Sequence, residues 1–441
     1  MDELAARAAA LVARRPRDAR LRRVGTSRGG TPLWLLSVGH GSRQALVVAG
    51  PHANEPVGGA TVLRLAERAL ADPRLGEQAD ATWNLLLCLD PDGARRNEGW
   101  LSGPYTLGRY FRHFFRPGFL EQPEWLPDGA ERAALPETRA LLHLQDELRP
   151  FFQCSLHGVD VGGGFVELTH DLPGVAQRLA QAAARLGIPR ELGPYDTLYW
   201  PTLGPAVYRI PPPRRGDLAA AITEAAVEST WFHPHRYGTV TAVVEAPMWG
   251  VPAVEDGSPH PDADGELRAV SRTLRRDTRL LEALTARIRP HLAAVPDAAR
   301  MLAPVDDYLL VCPGLADSWD PDTYEAGERP LPPLDRARLT ALGISGRRVA
   351  LRTAGLLHQL ARAAGSAASG VLPELDALID AWCADYHDGH GARWIPVARQ
   401  AEYQARVVLA VFELAGRGAP ARSRSGDSGW SPGTAVPMHT E

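Results

Sequence analysis

The sequence contains no lysine, and all 48 of its basic residues are arginine. A P-loop phosphate site and a Schiff-base mechanism both require a lysine amine, so neither chemistry is available to this chain. Cysteine is scarce and scattered, with no Cys-x-x-Cys spacing and no match to a disulfide framework. We therefore expect the four cysteines to be reduced core residues of a cytoplasmic protein: Cys88, Cys154, Cys312 and Cys383.

Long apolar runs and blocks of one charge are also missing. No apolar run is long enough to cross a bilayer, and the chain opens with Met1-Asp2-Glu3 rather than with the basic and then apolar segments of a secretory signal. The formal net charge of -4 comes from acids and arginines that alternate along the chain. Because no basic face results, we expect neither a nucleic-acid partner nor a membrane partner.

The first 290 residues alternate short apolar runs with helical patterns. After a Gly-punctuated hairpin from about residue 22, the strand candidates are residues 45–49, 83–89, 151–155 and 239–244. The helix candidates among them include residues 56–71, 136–148 and 175–186. This alternation predicts an α/β domain, residues 1–290, with a mixed, largely parallel sheet flanked by helices.

The pattern changes after residue 290. Helical stretches at residues 349–364, 372–386 and 398–415 predict a mostly helical C-terminal region that spans residues 291–417. Residues 418–441 are rich in Gly, Ser and Pro with little apolar content, so we expect a disordered tail there.

Candidate metal ligands follow two of the predicted strands. The strand at residues 45–49 ends at Gly50, and His52 and Glu55 follow before a helix that begins near Pro56. Imidazole nitrogen and carboxylate oxygen both bind zinc, and a catalytic zinc usually has three protein ligands. His157 follows the strand at residues 151–155 and is the candidate for the third ligand.

A catalytic zinc site also needs a general base. Glu245 closes the most apolar strand of the chain, where a carboxylate is costly to bury unless the chemistry uses it. A second histidine pair, His387 and His390, also has a spacing that could bind metal, but its Asp and Gly neighbours are typical of a helix end and loop.

Five motifs in order resemble the zinc carboxypeptidases of the carboxypeptidase A type and their wider clan. The family pattern is a Ser-x-x-Gly-x-x-Leu hairpin, His-x-x-Glu after a strand, Asn-Pro-Asp-Gly, a lone His after a strand, and a Glu on a late strand. This chain has, over about residues 22–290, the matching segments Ser27 to Leu33, His52 to Glu55, Asp90 to Gly93, Ser155 to Gly158 and Glu245 to Pro247. The resemblance implies that His52, Glu55 and His157 bind zinc and that Glu245 is the general base.

The substrate is less constrained by the motifs. The family's peptidases grip the substrate carboxylate with an Asn-Arg dipeptide, and none of the three asparagines here precedes an arginine. Arg96 and Asn97, just after the Asp-Pro-Asp-Gly turn, are the candidates for binding substrate instead. Arg109, Arg112 and Arg116 in the following segment are the alternatives to Arg96. Three functions stay open: hydrolysis of a peptide or peptide-like amide, deacylation of N-acyl amino acids as in aspartoacylase and succinylglutamate desuccinylase, and a catalytically silent binding protein.

Overall fold

The structure of the chain is a computed structural model, which describes residues 1–126, 134–212, 229–323 and 331–418. The tail predicted to be disordered, residues 418–441, lies outside these ranges apart from Gly418. No helix in the described ranges is both long and apolar enough to span a bilayer.

One sheet forms the centre of the fold. Its strands are β1 Ala19–Thr26, β2 Pro32–Val38, β3 Arg43–Ala49, β4 Ala81–Leu86, β5 Phe152–Gly162, β6 Phe165–Leu168, β7 Thr202–Gly204, β8 Val207–Arg209, β9 Val240–Gly250 and β10 Arg393–Trp394. The strand order is β1-β2-β4-β3-β5-β9-β6-β8-β7, and β10 pairs with β9. The central pairs β4/β3, β3/β5 and β5/β9 are parallel, whereas β1/β2, β2/β4, β6/β9 and β7/β8 are antiparallel.

Helices cover both faces of this sheet. They are α1 Asp2–Arg14, α2 Val57–Ala71, α3 Pro91–Arg96, α4 Glu98–Leu101, α5 Leu107–Arg112, α6 Pro136–Leu148, α7 Val175–Leu186, α8 Ala263–Ile288, α9 Ala298–Trp319, α10 Arg336–Ala363, α11 Leu372–Ala384 and α12 Val397–Gly418. The side chains of α1, α2, α7 and α12 share one apolar core with one face of the sheet. The opposite face packs on α6 near β2, β3 and β4. The predicted α/β fold, with its mixed, largely parallel sheet and helical C-terminal region, is confirmed.

Strands β5 and β9 are longer than the sequence indicates. The apolar run that predicts a strand at residues 151–155 continues as β5 through Gly162, and all of β5 is buried. In the same way, β9 continues past residue 244 to Gly250. His157 and Glu245 therefore lie within the strands and not at their ends.

The C-terminal helices pack directly against the sheet domain. Helix α12 supplies Tyr403, Val408 and Phe412 to the core beneath the sheet. Helix α10 joins a second core that also contains Val161 of β5 and Trp249 of β9. The division into domains at residue 290 stays a prediction.

Candidate active site

A tight turn between β3 and α2 carries two of the three predicted ligands. The amide of Glu55 donates to the carbonyl of His52 over 3.1 Å, which folds the turn back on itself. The turn begins at Gly50, whose φ of +55° favours glycine. A Cβ at this position would lie 2.7 Å from the sulfur of Cys88, which is too close for a side chain. The backbone therefore brings His52 and Glu55 to the carboxyl end of β3.

Strand register brings the other two predicted residues together. His157 of β5 and Glu245 of β9 are direct partners across the parallel ladder. Because side chains alternate along a strand, both project on the sheet face opposite the one that α12 covers. This is the face towards which the β3–α2 turn carries its two ligands.

The three predicted ligands form one cluster. Ligand atoms of His52, Glu55 and His157 all lie within 4.8 Å of one another, and all three residues are buried. His52 Nδ1 is 3.1 Å from Glu55 Oε1, and His157 Nδ1 is 3.4 Å from Glu55 Oε2. Tetrahedral ligands bonded to zinc at ~2.1 Å lie ~3.4 Å apart, so this donor set fits a zinc ion. In the part of the chain that the structure describes, no other group of three acidic, histidine or cysteine side chains is arranged in this way.

The ionisable groups of the cluster shift one another's pKa in different directions. Burial would raise the pKa of Glu55, but His52, His157 and Arg116 outweigh burial and hold that pKa well below its usual value. Burial, together with the nearby Arg116 charge, lowers the pKa of His52 to about 4, so its imidazole stays neutral, as metal binding requires. Burial would also lower the pKa of His157, yet the surrounding carboxylates, led by Glu124, raise it well above its usual value.

Glu245 lies beside the cluster with one oxygen free. Its Oε1 is 3.7 Å from His157 Nδ1. Its buried Oε2 has no hydrogen-bond partner in the described part of the chain. Burial, with repulsion from Glu55 and Glu167, raises the pKa of Glu245 well above its usual value. An unpaired carboxylate oxygen next to a candidate metal site is suited to accept a proton.

An arginine that the sequence motifs did not single out lies at the centre of the site. Arg116 donates from its guanidinium to His52 Nδ1, and its other terminal nitrogen is 3.5 Å from Glu55 Oε1. Its side chain is largely buried, at 13% exposed. The sequence offers Arg116 only as one of three alternatives to Arg96, beside Arg109 and Arg112, and its contact with His52 distinguishes it from the other two.

Two buried acids were also missed from the sequence. Glu124 lies against His157. Glu167 lies on β6, two residues after Phe165, which pairs with Glu245 across the ladder. Glu167 therefore projects on the same face as Glu245. Burial, and then repulsion from Asp196, raises the pKa of Glu167 to about 8. Neither acid belongs to a motif, and no sequence spacing indicates them.

In the structure, the two predicted substrate-binding residues are occupied by contacts within the protein. Arg96 forms an ion pair with Asp297 and lies over the Phe115 ring, 5.0 Å from its centroid. The side-chain Nδ2 of Asn97 donates to three backbone carbonyls. Its Oδ1 accepts from the Phe115 backbone amide and the Trp100 indole. The hydrogen-bonding groups of Asn97 are thus already used inside the protein. Its contacts are those of a residue that fixes the loop after β4, and the assignment of both residues to substrate stays a prediction.

Residues 4–112 match the family model for zinc carboxypeptidases, Peptidase_M14. This stretch contains the Ser27 to Leu33 hairpin, the His52 to Glu55 pair and the Asp90 to Gly93 turn. The resemblance to the zinc carboxypeptidase family that the motifs indicate is confirmed by this match. No curated protein matches the chain.

Solved structures that match part of the chain include three described as a metallopeptidase or a carboxypeptidase. A candidate metallopeptidase from Shewanella denitrificans is 15% identical, with a TM-score of 0.38 over 56% of this chain and 81% of its own. A metallo-carboxypeptidase from Burkholderia cenocepacia is 17% identical, with a TM-score of 0.35 over 54% and 58%. Carboxypeptidase A from Helicoverpa armigera is 14% identical, with a TM-score of 0.39 over 56% and 64%. This chain covers less than two thirds of the latter two.

Proposed function

We propose that the chain is a zinc-dependent, metallocarboxypeptidase-like hydrolase that cleaves a peptide or peptide-like amide bond. The observation that carries the proposal is the convergence of His52, Glu55 and His157 beside Glu245, whose free oxygen has no partner in the described residues. Two imidazoles and one carboxylate form an open catalytic zinc site, in contrast to the cysteine-rich sites of structural zinc.

Each group of the site has a task in amide hydrolysis. Zinc, when bound by the three ligands, lowers the pKa of a water and polarises the substrate carbonyl. Glu245 accepts the proton from that water at its free Oε2 and returns it to the leaving amine. The Arg116 guanidinium, already within reach of the cluster, donates to the oxygen that becomes negative in the transition state.

The contacts of Arg116 also bear on substrate binding. A substrate oxygen that becomes negative in a buried site needs a charge-assisted partner, and arginine supplies one. Arg96 is paired with Asp297 at the surface, whereas Arg116 is paired with Glu55 inside the cluster. We therefore favour Arg116 as the arginine that contacts substrate.

The proposal is tested first by metal content. We expect ~1 zinc per chain and none in His157→Ala, since three protein ligands are the usual minimum for a catalytic zinc. Full zinc content in a folded His157→Ala variant would contradict the site. In that case the His387 and His390 pair becomes the next candidate.

The second test concerns the general base. Glu245→Gln keeps the shape of the side chain but removes the proton acceptor, so zinc content should stay normal while kcat falls by ~10²–10⁴-fold. Activity is measured on peptides with free and amidated C-termini and on N-acyl amino acids, which separates a carboxypeptidase from a deacylase. Unchanged kcat would remove Glu245 from the mechanism, and loss of zinc would make it a ligand.

A further inference from the structure

One outer edge of the sheet has no partner strand. Strand β1 stands first in the strand order and pairs with β2 alone among the described residues. In an antiparallel pair, every second residue directs its N–H and C=O away from the partner strand. From Arg20 to Val24, no backbone group in the described part of the chain has a hydrogen bond outside the β1/β2 ladder. This edge therefore offers a row of free donors and acceptors roughly 17 Å long.

The same edge carries a concentrated positive charge. Residues 14–23 contain six arginines and a single acid, Asp18, although acids and arginines alternate over most of the chain. Five of these arginines are exposed: Arg14, Arg15, Arg17, Arg20 and Arg23. The side chains of the first four have no hydrogen bond and no ion pair within the ranges that the structure describes. Their charge is therefore available to a partner.

The arginines of β1 lie on both faces of the sheet. Because side chains alternate along a strand, Arg20 and Arg22 lie on one face and Arg23 on the other. Arg22 is paired with Glu147 of α6 over 2.7 Å. Arg23 donates from Nε to the Gly25 carbonyl over 3.1 Å. A strand added beside β1 would thus have an arginine next to it on each face, and that of Arg20 is unpaired among the described residues.

The free edge and the arginines together define the kind of partner. A strand edge is completed by a polypeptide, since nucleic acids and lipids lack the alternating donors and acceptors that pair with it. Guanidinium groups favour carboxylates, whose two oxygens match their paired N–H groups. The tail of this chain fits less well, because residues 419–441 contain two arginines as well as two acids. An extended, acidic segment of another protein fits both features.

We propose that β1 is a docking edge for an extended, acidic segment of a partner protein, which adds to the sheet as a further strand. Backbone hydrogen bonds to β1 provide the affinity, and the arginines select acidic side chains beside them. Strands β2 and β4 lie between β1 and β3, the strand that leads to His52. The docking edge is therefore separate from the proposed zinc site, and binding to it does not depend on hydrolysis.

The test uses a fluorescent peptide, acetyl-Glu-Thr-Glu-Val-Glu-Thr-Glu-amide, whose blocked ends protect it from a carboxypeptidase. Its binding to the full chain is followed by fluorescence anisotropy. We expect saturable binding that weakens as added salt screens the charges. Two peptides are matched controls: glutamine in place of every glutamate removes the charge, and N-methylation of the internal amides removes the hydrogen bonds but keeps the charge. Both should bind at least ~10-fold more weakly.

Variants of the chain locate the binding surface. Arg20→Thr removes one unpaired cation and introduces a residue that favours a strand, so it should weaken binding of the glutamate peptide by ~2–5-fold. The double variant Arg17→Thr/Arg20→Thr should weaken it by ~4–25-fold. Arg209→Thr is the matched control, because Arg209 is an exposed arginine on β8 of the same sheet. Its affinity for the peptide should equal that of the parent chain.

Four outcomes would overturn the proposal. One is the absence of saturable binding to the parent chain, and another is an equal loss of affinity in Arg209→Thr and Arg20→Thr. Equal binding of the N-methylated peptide would show that charge alone is recognised, and so would equally tight binding of a single-stranded DNA of the same charge. The peptide controls need no variant, so they decide the question even if Arg20→Thr does not fold. Arginines that only keep β1 from pairing with other edges would give aggregation of the double variant and no peptide binding by the parent.

Discussion

Replacing Arg352 with methionine should destabilise the protein and disturb the proposed zinc site together. Arg352 of α10 donates from Nε to Asp160 Oδ2 over 2.7 Å, and both side chains are at least nine-tenths buried. The other oxygen of Asp160 accepts from the Tyr110 hydroxyl at 2.7 Å and from Asn54 at 3.1 Å. Asn54 lies in the turn between His52 and Glu55, so this network joins a C-terminal helix to the ligand turn.

The size of the effect follows from what remains after the change. Methionine fills much of the space of the arginine stem, but it leaves Asp160 Oδ2 as a buried, uncompensated charge. Removing one partner of a buried ion pair typically costs ~3–5 kcal/mol. Since Tyr110 and Asn54 still bond the other oxygen, we expect a loss of ~3 kcal/mol in the free energy of unfolding.

The assay is urea unfolding of the metal-free protein, with Arg362→Met as the control. Arg362 is exposed near the end of the same helix, so its replacement should change the free energy of unfolding by less than ~0.5 kcal/mol. The double variant Asp160→Asn/Arg352→Met should lose less than the sum of the single variants, because the two residues contact each other. Parent-like stability of Arg352→Met, or strict additivity in the double variant, would refute the reasoning.

The pH dependence of the same variant has a defined sign. Burial alone would raise the pKa of Asp160, but Arg352 outweighs burial and lowers that pKa. A lowered carboxyl pKa contributes stability above the usual pKa of the group, and that contribution disappears as the pH falls through the folded-state value. The difference in stability between the parent and Arg352→Met should therefore shrink in acid.

Two further predictions concern the site itself. Arg116→Gln should lower kcat/KM by ~10²–10³-fold and Arg96→Ala by less than ~10-fold, because Arg116 contacts the ligand cluster. A larger loss of kcat/KM in Arg96→Ala than in Arg116→Gln would restore Arg96 as the substrate-binding residue. Burial raises the pKa of Glu167 to about 8, so the folded protein keeps a proton that the unfolded chain releases above about pH 4.5. Relative to Glu167→Gln, the parent should therefore lose up to about 5 kcal/mol of stability between about pH 4.5 and about pH 8. Parallel stability curves for parent and Glu167→Gln would contradict the second prediction.

The sequence predicts the parts of the fold that depend on local pattern. The helices α6 and α7 begin and end at the predicted residues, because each has a regular apolar stripe between clear end signals. Helix α9 was not predicted, and it contains Pro304 and Pro313. Proline normally interrupts a helix, so only the packing of α9 against its neighbours explains its length.

Some residues of the candidate site can be predicted from the sequence, and others can be found only in the structure. His52, Glu55 and His157 belong to short motifs beside predicted strands, and the structure brings all three into one cluster. Arg116 and Glu124 belong to no motif, and their positions depend on how the segment after α5 folds over the cluster. A lone buried acid in the sequence cannot be told from an exposed one until the chain around it is folded.

The contacts of the C-terminal helices extend to the site. Gln404 of α12 donates to the carbonyls of His157 at 2.6 Å and Val244 at 3.2 Å, and its amide oxygen accepts from Thr61 of α2. Arg352 of α10 reaches Asp160, the partner of Asn54. The bonds of Gln404 end on the backbone of one predicted ligand, and those of Arg352 end beside the turn that carries the other two. The C-terminal region therefore influences the geometry of the site, although it supplies none of the three predicted ligands.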